Sequence, residues 1–272
     1  MRGACDCHVH VFGPPERYPF APERKYTPPQ ASIEQVLGFQ ENLGLERVVI
    51  VQASPYGTDN RCMLDALRIL GARARGVAVI DAHTPLAPMH ALGVRGVRVN
   101  LQTGGERDPA VANRLIDEAA RQAAPLGWHV QLWTDAAMVA ALQERLAELP
   151  VPLVIDHFAL AASLAQAKPL FGLLARGNTW IKLSAPHRVG GEVDAVARAL
   201  VDARPDRLVW GSDWPHPGMG PRTPEAIQPF DAIDDAAALE RLRRWCGDER
   251  TFERILVENP ARLYAFAGSV VV

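Results

Sequence analysis

The sequence lacks the features that mark membrane-spanning and nucleic-acid-binding proteins. No apolar run approaches the roughly 18 residues that a membrane-spanning helix needs. With a net charge of -2, the chain has no basic excess that would favour nucleic acid or an anionic membrane surface as a partner. The first eight residues carry charge and histidine where a signal peptide has an apolar core, so we expect a cytoplasmic protein.

Cysteine is scarce and its spacing indicates neither disulfides nor a structural zinc site. The four cysteines are Cys5, Cys7, Cys62 and Cys246. One residue separates the first pair, whereas redox motifs and zinc knuckles have two, and no second pair completes a zinc site. We therefore interpret all four as reduced, small apolar side chains.

Apolar runs typical of buried parallel strands alternate with helical patterns along the whole chain. Strands are predicted near residues 4–11, 47–52, 75–80, 96–100, 128–133, 153–157, 179–183 and 208–210. Helices are predicted near residues 32–43, 62–70, 85–92, 110–123, 136–148, 164–175, 192–203 and 258–264, with an acidic loop after the eighth strand. Eight such units without a linker predict an α/β protein with a single (β/α)8 barrel, one domain over residues 1–272. A doubly wound open sheet is the alternative, but no glycine-rich dinucleotide fingerprint follows the first strand.

The eighth strand places a carboxylate where barrel enzymes keep their chemistry. The run Leu208-Val-Trp ends at Gly211, and Asp213 follows directly. Catalytic groups of α/β barrels lie just past the C-terminal ends of the strands. Asp213 is therefore a candidate catalytic residue, and the alternative is a solvated loop aspartate or a helix N-cap.

Further polar residues fall at the same ends of other predicted strands. His8 and His10 share one face of the first strand if its side chains alternate, with Cys7 on the other face. Such a pair can supply two metal ligands or two donors to a developing oxyanion. His157 ends the sixth strand, where the alternative is a core histidine.

Two arginines extend this group. Arg98 lies on the fourth strand and Arg188 follows the seventh. Either could bind a substrate carboxylate. For Arg98 the alternative is an interior arginine that pairs with a neighbouring acid.

Two loops are expected at the same rim. Residues 12–29 contain six prolines, which forbid regular structure and predict an ordered loop over the barrel mouth. Its Tyr26 could contact substrate or only pack the loop down. Ser54, in the loop after the second strand, could donate a hydrogen bond to substrate or satisfy the loop backbone.

Several motifs together resemble the amidohydrolase-2 group of the amidohydrolase superfamily. They are Asp6-Cys-His-Val-His10, Val154-Ile-Asp-His157 and Trp210-Gly-Ser-Asp-Trp-Pro-His216. A closer resemblance, over almost the whole chain, is to the 2-pyrone-4,6-dicarboxylate lactonases. It rests on Lys25-Tyr26, Val49-Ile-Val-Gln-Ala-Ser54, Gly57-Thr-Asp-Asn60, Gly127-Trp-His-Val130 and Asn259-Pro-Ala-Arg-Leu-Tyr264, among others.

The resemblance implies a hydrolase that needs no metal. Most amidohydrolases hold one or two divalent ions with a strand-four lysine or glutamate and a strand-five histidine among the ligands. Here strand four ends in Asn100, strand five ends in Trp133-Thr134, and His129 should lie at the opposite end of the barrel. The resembled lactonases work without a metal, so we expect no cofactor. The alternative is a single divalent metal such as zinc at His8, His10, His157 and Asp213.

The resemblance also implies roles for the candidate residues. Asp213 would be the general base that activates water, and His8, His10 and His157 would polarise the lactone carbonyl. Arg98 and Arg188 match carboxylate-binding positions, and Trp133 matches a tyrosine. The second arginine expected near residues 102–105 is absent, although Arg107 is close.

We therefore expect a lactonase that opens 2-pyrone-4,6-dicarboxylate or a related carboxylated lactone. The alternatives are a metal-dependent sugar-acid or muconolactone lactonase, a decarboxylase, a lactone isomerase, and a barrel that only binds a sugar acid or an aromatic metabolite. The expected partner is a small carboxylated lactone. We expect no nucleic-acid or membrane partner, and a monomer or small homo-oligomer.

Overall fold

Eight parallel strands follow one another around a barrel in chain order in the computed structural model, which describes residues 1–218 and 223–266. The strands are β1 (Cys5–Val9), β2 (Arg47–Val51), β3 (Ala74–Ala78), β4 (Val94–Asn100), β5 (His129–Trp133), β6 (Leu153–Ile155), β7 (Thr179–Ser184) and β8 (Leu208–Gly211). Just past β1 and β8 the ring closes, because the His10 amide donates to the Trp214 carbonyl (2.8 Å). The (β/α)8 prediction is confirmed.

Helices cover the outside of this barrel. They are α1 (Ile33–Leu43), α2 (Arg61–Leu70), α3 (Leu86–Ala91), α4 (Leu101–Gly104), α5 (Pro109–Ala123), α6 (Ala136–Ala141), α7 (Gln143–Ala147), α8 (Leu164–Ala175), α9 (Pro186–Val189), α10 (Val193–Ala203), α11 (Asp235–Cys246), α12 (Glu249–Glu253) and α13 (Asn259–Leu263), with a π-helical turn at Arg254–Glu258. Their apolar faces pack on the outward side chains of the strands, such as Val48, Ile50 and Leu132. Each strand is thus buried on its outer face by helices and on its inner face by the barrel interior, which explains why the strand sequences are continuous apolar runs.

Three segments differ from the sequence prediction. The helix expected over residues 136–148 breaks at Leu142, which has a non-helical backbone and separates α6 from α7. No helix was predicted over residues 101–104, but α4 forms there because the Asn100 side chain accepts a hydrogen bond from the Thr103 amide. The segment after β8, expected as an acidic loop, contains α11.

A β-bulge in β1 overturns the predicted alternation of its side chains. The pairing register between β1 and β2 shifts between Asp6 and Val9. Cys7 therefore packs inside the barrel with Val49 and Val51, while His8 also reaches interior groups. The prediction that Cys7 faces away from His8 is wrong, since a bulge adds one residue to the alternation.

The N-terminal ends of the strands are closed by aromatic side chains from the end of the described chain. Tyr264 and Phe266 pack against the interior apolar residues of the barrel. The Arg75 side chain donates to the Tyr264 carbonyl (3.1 Å) and lies over the Phe266 ring. His129 meets the Tyr264 ring edge-on, with 5.3 Å between centroids, so its predicted place at this end is confirmed. We call this layer the barrel floor.

Two further predictions concern the whole chain. All four cysteines are free and buried, as expected. Among the described helices, none has both the length and the apolar character needed to cross a bilayer. The single-domain prediction also spans residues 219–222 and 267–272, which lie outside the described residues, and it stays a prediction.

Candidate active site

A small cavity of about 30 Å³ opens at the C-terminal ends of the strands, opposite the barrel floor. Its lining comprises His10, Tyr26, Ser54, Arg98, Thr103, Trp133, His157, Arg188, Asp213 and Pro217. Eight of the nine predicted site residues are in this lining. The ninth, His8, is fully buried beside Asp213. Thr103 joins them because the unpredicted helix α4 carries it to the rim.

Asp213 lies at the centre of three imidazoles. Its Oδ1 is 3.6 Å from Nε2 of His8, 3.6 Å from Nε2 of His10 and 3.7 Å from Nε2 of His157. Its Oδ2 accepts a hydrogen bond from Nε of Arg188 at 2.6 Å. Burial alone would raise the pKa of Asp213, but Arg188 and then His157 hold that pKa well below its usual range. The carboxylate is therefore ionised at neutral pH.

The loop after β8 holds Asp213 in a strained backbone conformation. Its φ of 71° lies in the left-handed region, which costs a non-glycine residue about 1–2 kcal/mol. Backbone bonds on both sides fix it, because the Asp213 amide donates to the His8 carbonyl and its own carbonyl accepts from the His216 amide. The His216 ring in turn bonds Asp235 of α11, with 3.0 Å from Nε2 to Oδ2. Strain of this kind concentrates at functional sites.

His157 is aimed into the cavity by a left-handed turn. Four successive residues, from His157 to Leu160, have φ between 50° and 56°. The His157 Nδ1 lies 2.8 Å from Oγ of Ser184, and its ring meets Trp133 edge-on at 4.6 Å. Burial lowers the pKa of His157 to about 4, so the ring is neutral at pH 7. A neutral ring in this place can donate or accept one hydrogen bond without carrying charge.

The other two imidazoles differ in what their Nδ1 atoms contact. The His10 Nδ1 lies 2.8 Å from the Val51 carbonyl oxygen, which can only accept, so this nitrogen carries a hydrogen. The His8 Nδ1 lies 3.2 Å from Nζ of Lys182 and 3.3 Å from Oδ1 of Asp156. Burial lowers the pKa of His8 well below its usual value, so its ring is also neutral.

A fully buried polar cluster beneath the cavity supports these rings. Lys182 of β7 donates to the Cys7 carbonyl (2.9 Å) and to Oε1 of Gln131 (2.8 Å). Gln131 in turn donates to Oδ2 of Asp156 at 3.0 Å. Burial alone would raise the pKa of Asp156, but the ammonium group of Lys182 holds that pKa well below its usual value. Sequence reasoning missed this cluster, although a lysine within the apolar run of β7 was a signal for it.

Both predicted carboxylate-binding arginines already contact acids. Arg98 donates to Oδ2 of Asp156 through Nε (3.3 Å) and Nη2 (3.2 Å), so it pairs with an interior acid as the alternative prediction stated. Its side chain also lines the cavity. Arg188 bonds Asp213 and also the Pro217 carbonyl, at 2.6 Å. Arg107 is 56% exposed and bonds Gln102 and Asp135 outside the cavity lining.

Two sets of side chains bring metal-binding atoms close together. The sets are His8, Asp156 and His157, and His8, His10 and Asp213. In both, the carboxylate is already paired with cationic side chains, and Nδ1 of His8 faces the Lys182 amine. A histidine ligand binds through an unprotonated nitrogen and normally donates its other ring hydrogen to an acceptor. These cationic partners disfavour a tightly held divalent ion at either set, because the ion would have to displace them from the carboxylates.

Comparisons with known proteins show similarity over nearly the whole chain. A family model described as amidohydrolase matches residues 5–266. The chain is 36% identical to a 2-pyrone-4,6-dicarboxylate hydrolase of Comamonas testosteroni, over 96% of this chain and 90% of that protein. It is 34% identical to a 4-sulfomuconolactone hydrolase of Rhizobium radiobacter, over 97% of this chain and 90% of that protein.

A solved structure is similar along its full length. It comes from Acinetobacter baumannii, carries the name "probable 2-pyrone-4,6-dicarboxylic acid hydrolase" and holds citric acid. Its TM-score is 0.80 at 26% identity, with 97% of this chain and 100% of that chain covered.

Proposed function

The chain belongs to the amidohydrolase family, and from this premise we propose that it is a metal-independent hydrolase that opens a carboxylated lactone. The observation that carries the proposal is the ionised Asp213, which three imidazoles surround beneath a cavity lined by two arginines. A buried carboxylate, neutral imidazoles and guanidinium groups are what hydrolysis of an anionic ester requires.

Asp213 is proposed as the general base. Its Oδ1 takes a proton from water as the water oxygen attacks the lactone carbonyl carbon. When the tetrahedral intermediate collapses, the ring C–O bond breaks and Asp213 returns this proton to the departing oxygen. The products are a carboxylic acid and an enol or alcohol, with one water consumed, and the acid then ionises to a carboxylate and releases a proton.

The three imidazoles are proposed to have different roles in the reaction. In its neutral form His10 carries its hydrogen on Nδ1, so its Nε2 accepts. We therefore assign His10, with Asp213, to holding the attacking water, which changes the expectation that it polarises the carbonyl. His8 and His157 supply the donors to the developing oxyanion. One such donor contributes about 10²–10³-fold in rate.

The substrate class follows from the cations at the cavity. Arg98 and Arg188 are proposed to bind substrate carboxylate groups, with Ser54 as a hydrogen-bond donor. Tyr26 and Trp133 shape the walls around a planar ring. The relatives named as lactone hydrolases and the citric acid in the Acinetobacter baumannii structure support a carboxylated substrate. The proposed substrate is 2-pyrone-4,6-dicarboxylate or a close relative.

The test is hydrolysis of 2-pyrone-4,6-dicarboxylate by chelator-treated protein, followed as loss of the pyrone absorbance. We expect turnover without metal, gain of one water in the product, and loss of turnover in Asp213→Asn with the fold retained. Asp202→Asn, on the exposed side of α10, is the matched control and should be as active as wild type.

The possible results of this assay distinguish the proposed lactonase from the alternative functions. Near-normal turnover in folded Asp213→Asn would refute the mechanism, and an isomeric product without added water would indicate a lactone isomerase. Activity that chelation abolishes and zinc or manganese restores would indicate the metal-dependent lactonase. If this pyrone is not hydrolysed, aldarolactones and muconolactones are the next substrates to test.

The cellular setting is also a proposal. We propose a cytoplasmic enzyme of aromatic-compound degradation, and the four free, buried thiols support a reducing compartment. We further propose one domain over residues 1–272 that acts as a monomer or small homo-oligomer, with no nucleic-acid or membrane partner.

A further inference from the structure

Lys182 stands in the middle of β7 and is fully buried. Its Nζ lies within hydrogen-bond distance of the Cys7 carbonyl (2.9 Å), Oε1 of Gln131 (2.8 Å) and Nδ1 of His8 (3.2 Å). An ammonium group has three hydrogens and no lone pair. Oδ1 of Asp156 is a fourth neighbour at 3.4 Å, but it forms only an ion pair with Nζ. The three shorter contacts have hydrogen-bond geometry and account for all three hydrogens, so each of these contacted atoms is an acceptor.

Asp156 also lies close to Nδ1 of His8 and competes with Lys182 for a hydrogen bond to this nitrogen. Its Oδ1 lies 3.3 Å from Nδ1 of His8, but among the described residues this oxygen makes no contact with hydrogen-bond geometry. Its Oδ2 accepts from Arg98 and Gln131. The well-oriented partner of the His8 Nδ1 is thus the Lys182 amine, which needs an acceptor there.

We propose that Lys182 is a positioning residue that fixes His8 in the tautomer with its hydrogen on Nε2. This Nε2 points to Asp213 Oδ1 at 3.6 Å and has no hydrogen-bond partner among the described residues. It is therefore a donor without an acceptor at hydrogen-bond distance in the described part of the chain, buried beside Asp213 at the edge of the cavity. The catalytic consequence rests on the proposed lactonase function, whereas the tautomer itself does not.

The same contact makes His8 and His10 differ in their ability to bind a metal ion through Nε2. A histidine that binds metal through Nε2 keeps its hydrogen on Nδ1 and donates it to an acceptor. His10 has this arrangement through Val51, but His8 has the reverse. Lys182 thereby makes the set of His8, His10 and Asp213 a weak site for zinc.

The direct test is long-range ¹H–¹⁵N NMR of wild-type protein labelled at histidine nitrogens. The His8 signals are assigned by their absence in His8→Gln. We expect the hydrogen on Nε2 of His8 and on Nδ1 of His10. A hydrogen on Nδ1 of His8 in the wild-type protein would overturn the proposal, whether or not any lactone is hydrolysed.

The second test is Lys182→Met, which keeps the length of the side chain and removes its donors. The His8 hydrogen should move to Nδ1, where Asp156 accepts it, and zinc affinity in a chelator-competition titration should rise at least about tenfold. If the protein is the proposed lactonase, kcat falls by about 10²-fold while KM changes little. Lys168→Met, on the exposed side of α8, should alter none of these quantities.

The outcomes are distinguishable. An unchanged tautomer and unchanged zinc affinity in folded Lys182→Met would refute the role of Lys182. If this variant does not fold by circular dichroism, the wild-type spectrum decides. An inactive wild-type protein with the expected His8 tautomer would refute the lactonase proposal and leave this inference standing.

Discussion

Replacing Arg188 by methionine removes the cation that lowers the pKa of the proposed base. Nε of Arg188 lies 2.6 Å from Oδ2 of Asp213, and both side chains are at least 95% buried. An opposite charge this close lowers a carboxyl pKa by about 1–3 units. Without it, burial acts on Asp213 with only the imidazoles to oppose it. The pKa of Asp213 in Arg188→Met should therefore rise by about 1–3 units.

The pH dependence of kcat/KM reports this change, because kcat/KM follows the ionisation of the free enzyme. Asp213 acts as a base only when ionised, so activity is lost as the pH falls through its pKa. A higher pKa therefore moves the acidic limb to higher pH, by about 1–3 pH units. Loss of the substrate contact raises KM as well, but that effect changes the height of the profile rather than the position of its limb.

The assay is pyrone hydrolysis between about pH 2 and pH 8 for wild type, Arg188→Met and Arg145→Met, because the wild-type limb of Asp213 lies below its usual pKa range. Arg145 pairs with Asp117 on the surface, so its loss removes an arginine without touching the cavity. We expect the wild-type and Arg145→Met profiles to coincide. An acidic limb at the same pH in Arg188→Met would show that the ion pair does not set the basicity of Asp213.

Two further predictions concern stability. Burial raises the pKa of Asp6 to about 7, so the native state holds its proton more tightly than the unfolded chain does. The free energy of unfolding should then fall by about 4 kcal/mol as the pH rises from about 4 to about 7, and Asp6→Asn should flatten this slope in urea titrations. A slope equal to that of wild type would contradict this assignment. On α5, Ile116→Ala should lower the free energy of unfolding by about 2–5 kcal/mol, because the side chain is fully buried. Leu115→Ala, whose side chain is 48% exposed, should lower it by less than about 0.5 kcal/mol. Equal losses of stability in thermal unfolding would refute the burial argument.

The barrel and most of the cavity could be predicted because they depend on short-range patterns. Each strand is an apolar run, and parallel strands bring their C-terminal ends to one rim, so Asp213, His157 and Arg188 were predicted to share a site. The bulge in β1 could not be predicted, since nothing in residues 5–9 marks the extra residue. Its effect on Cys7 is therefore visible only in the structure.

The cluster around Lys182 and Asp156 was missed for a different reason. Its contacts join strands that are far apart in the sequence, and only closure of the barrel makes them neighbours. The sequence does place Lys182 in an apolar run, and Asp156 next to His157. A buried charge requires a partner, but the identity of that partner depends on the strand register.

Tyr264 and Phe266, which close the barrel floor, are made by the ribosome after all eight strands. Synthesis runs from the N-terminus, and early segments begin to fold before later ones exist. The interior side chains Cys5, Val49 and Val209 have no cover from below until residues 259–266 have been translated. The nascent barrel therefore leaves this end of its apolar interior uncovered until those residues emerge, and protection from aggregation is needed most before that point.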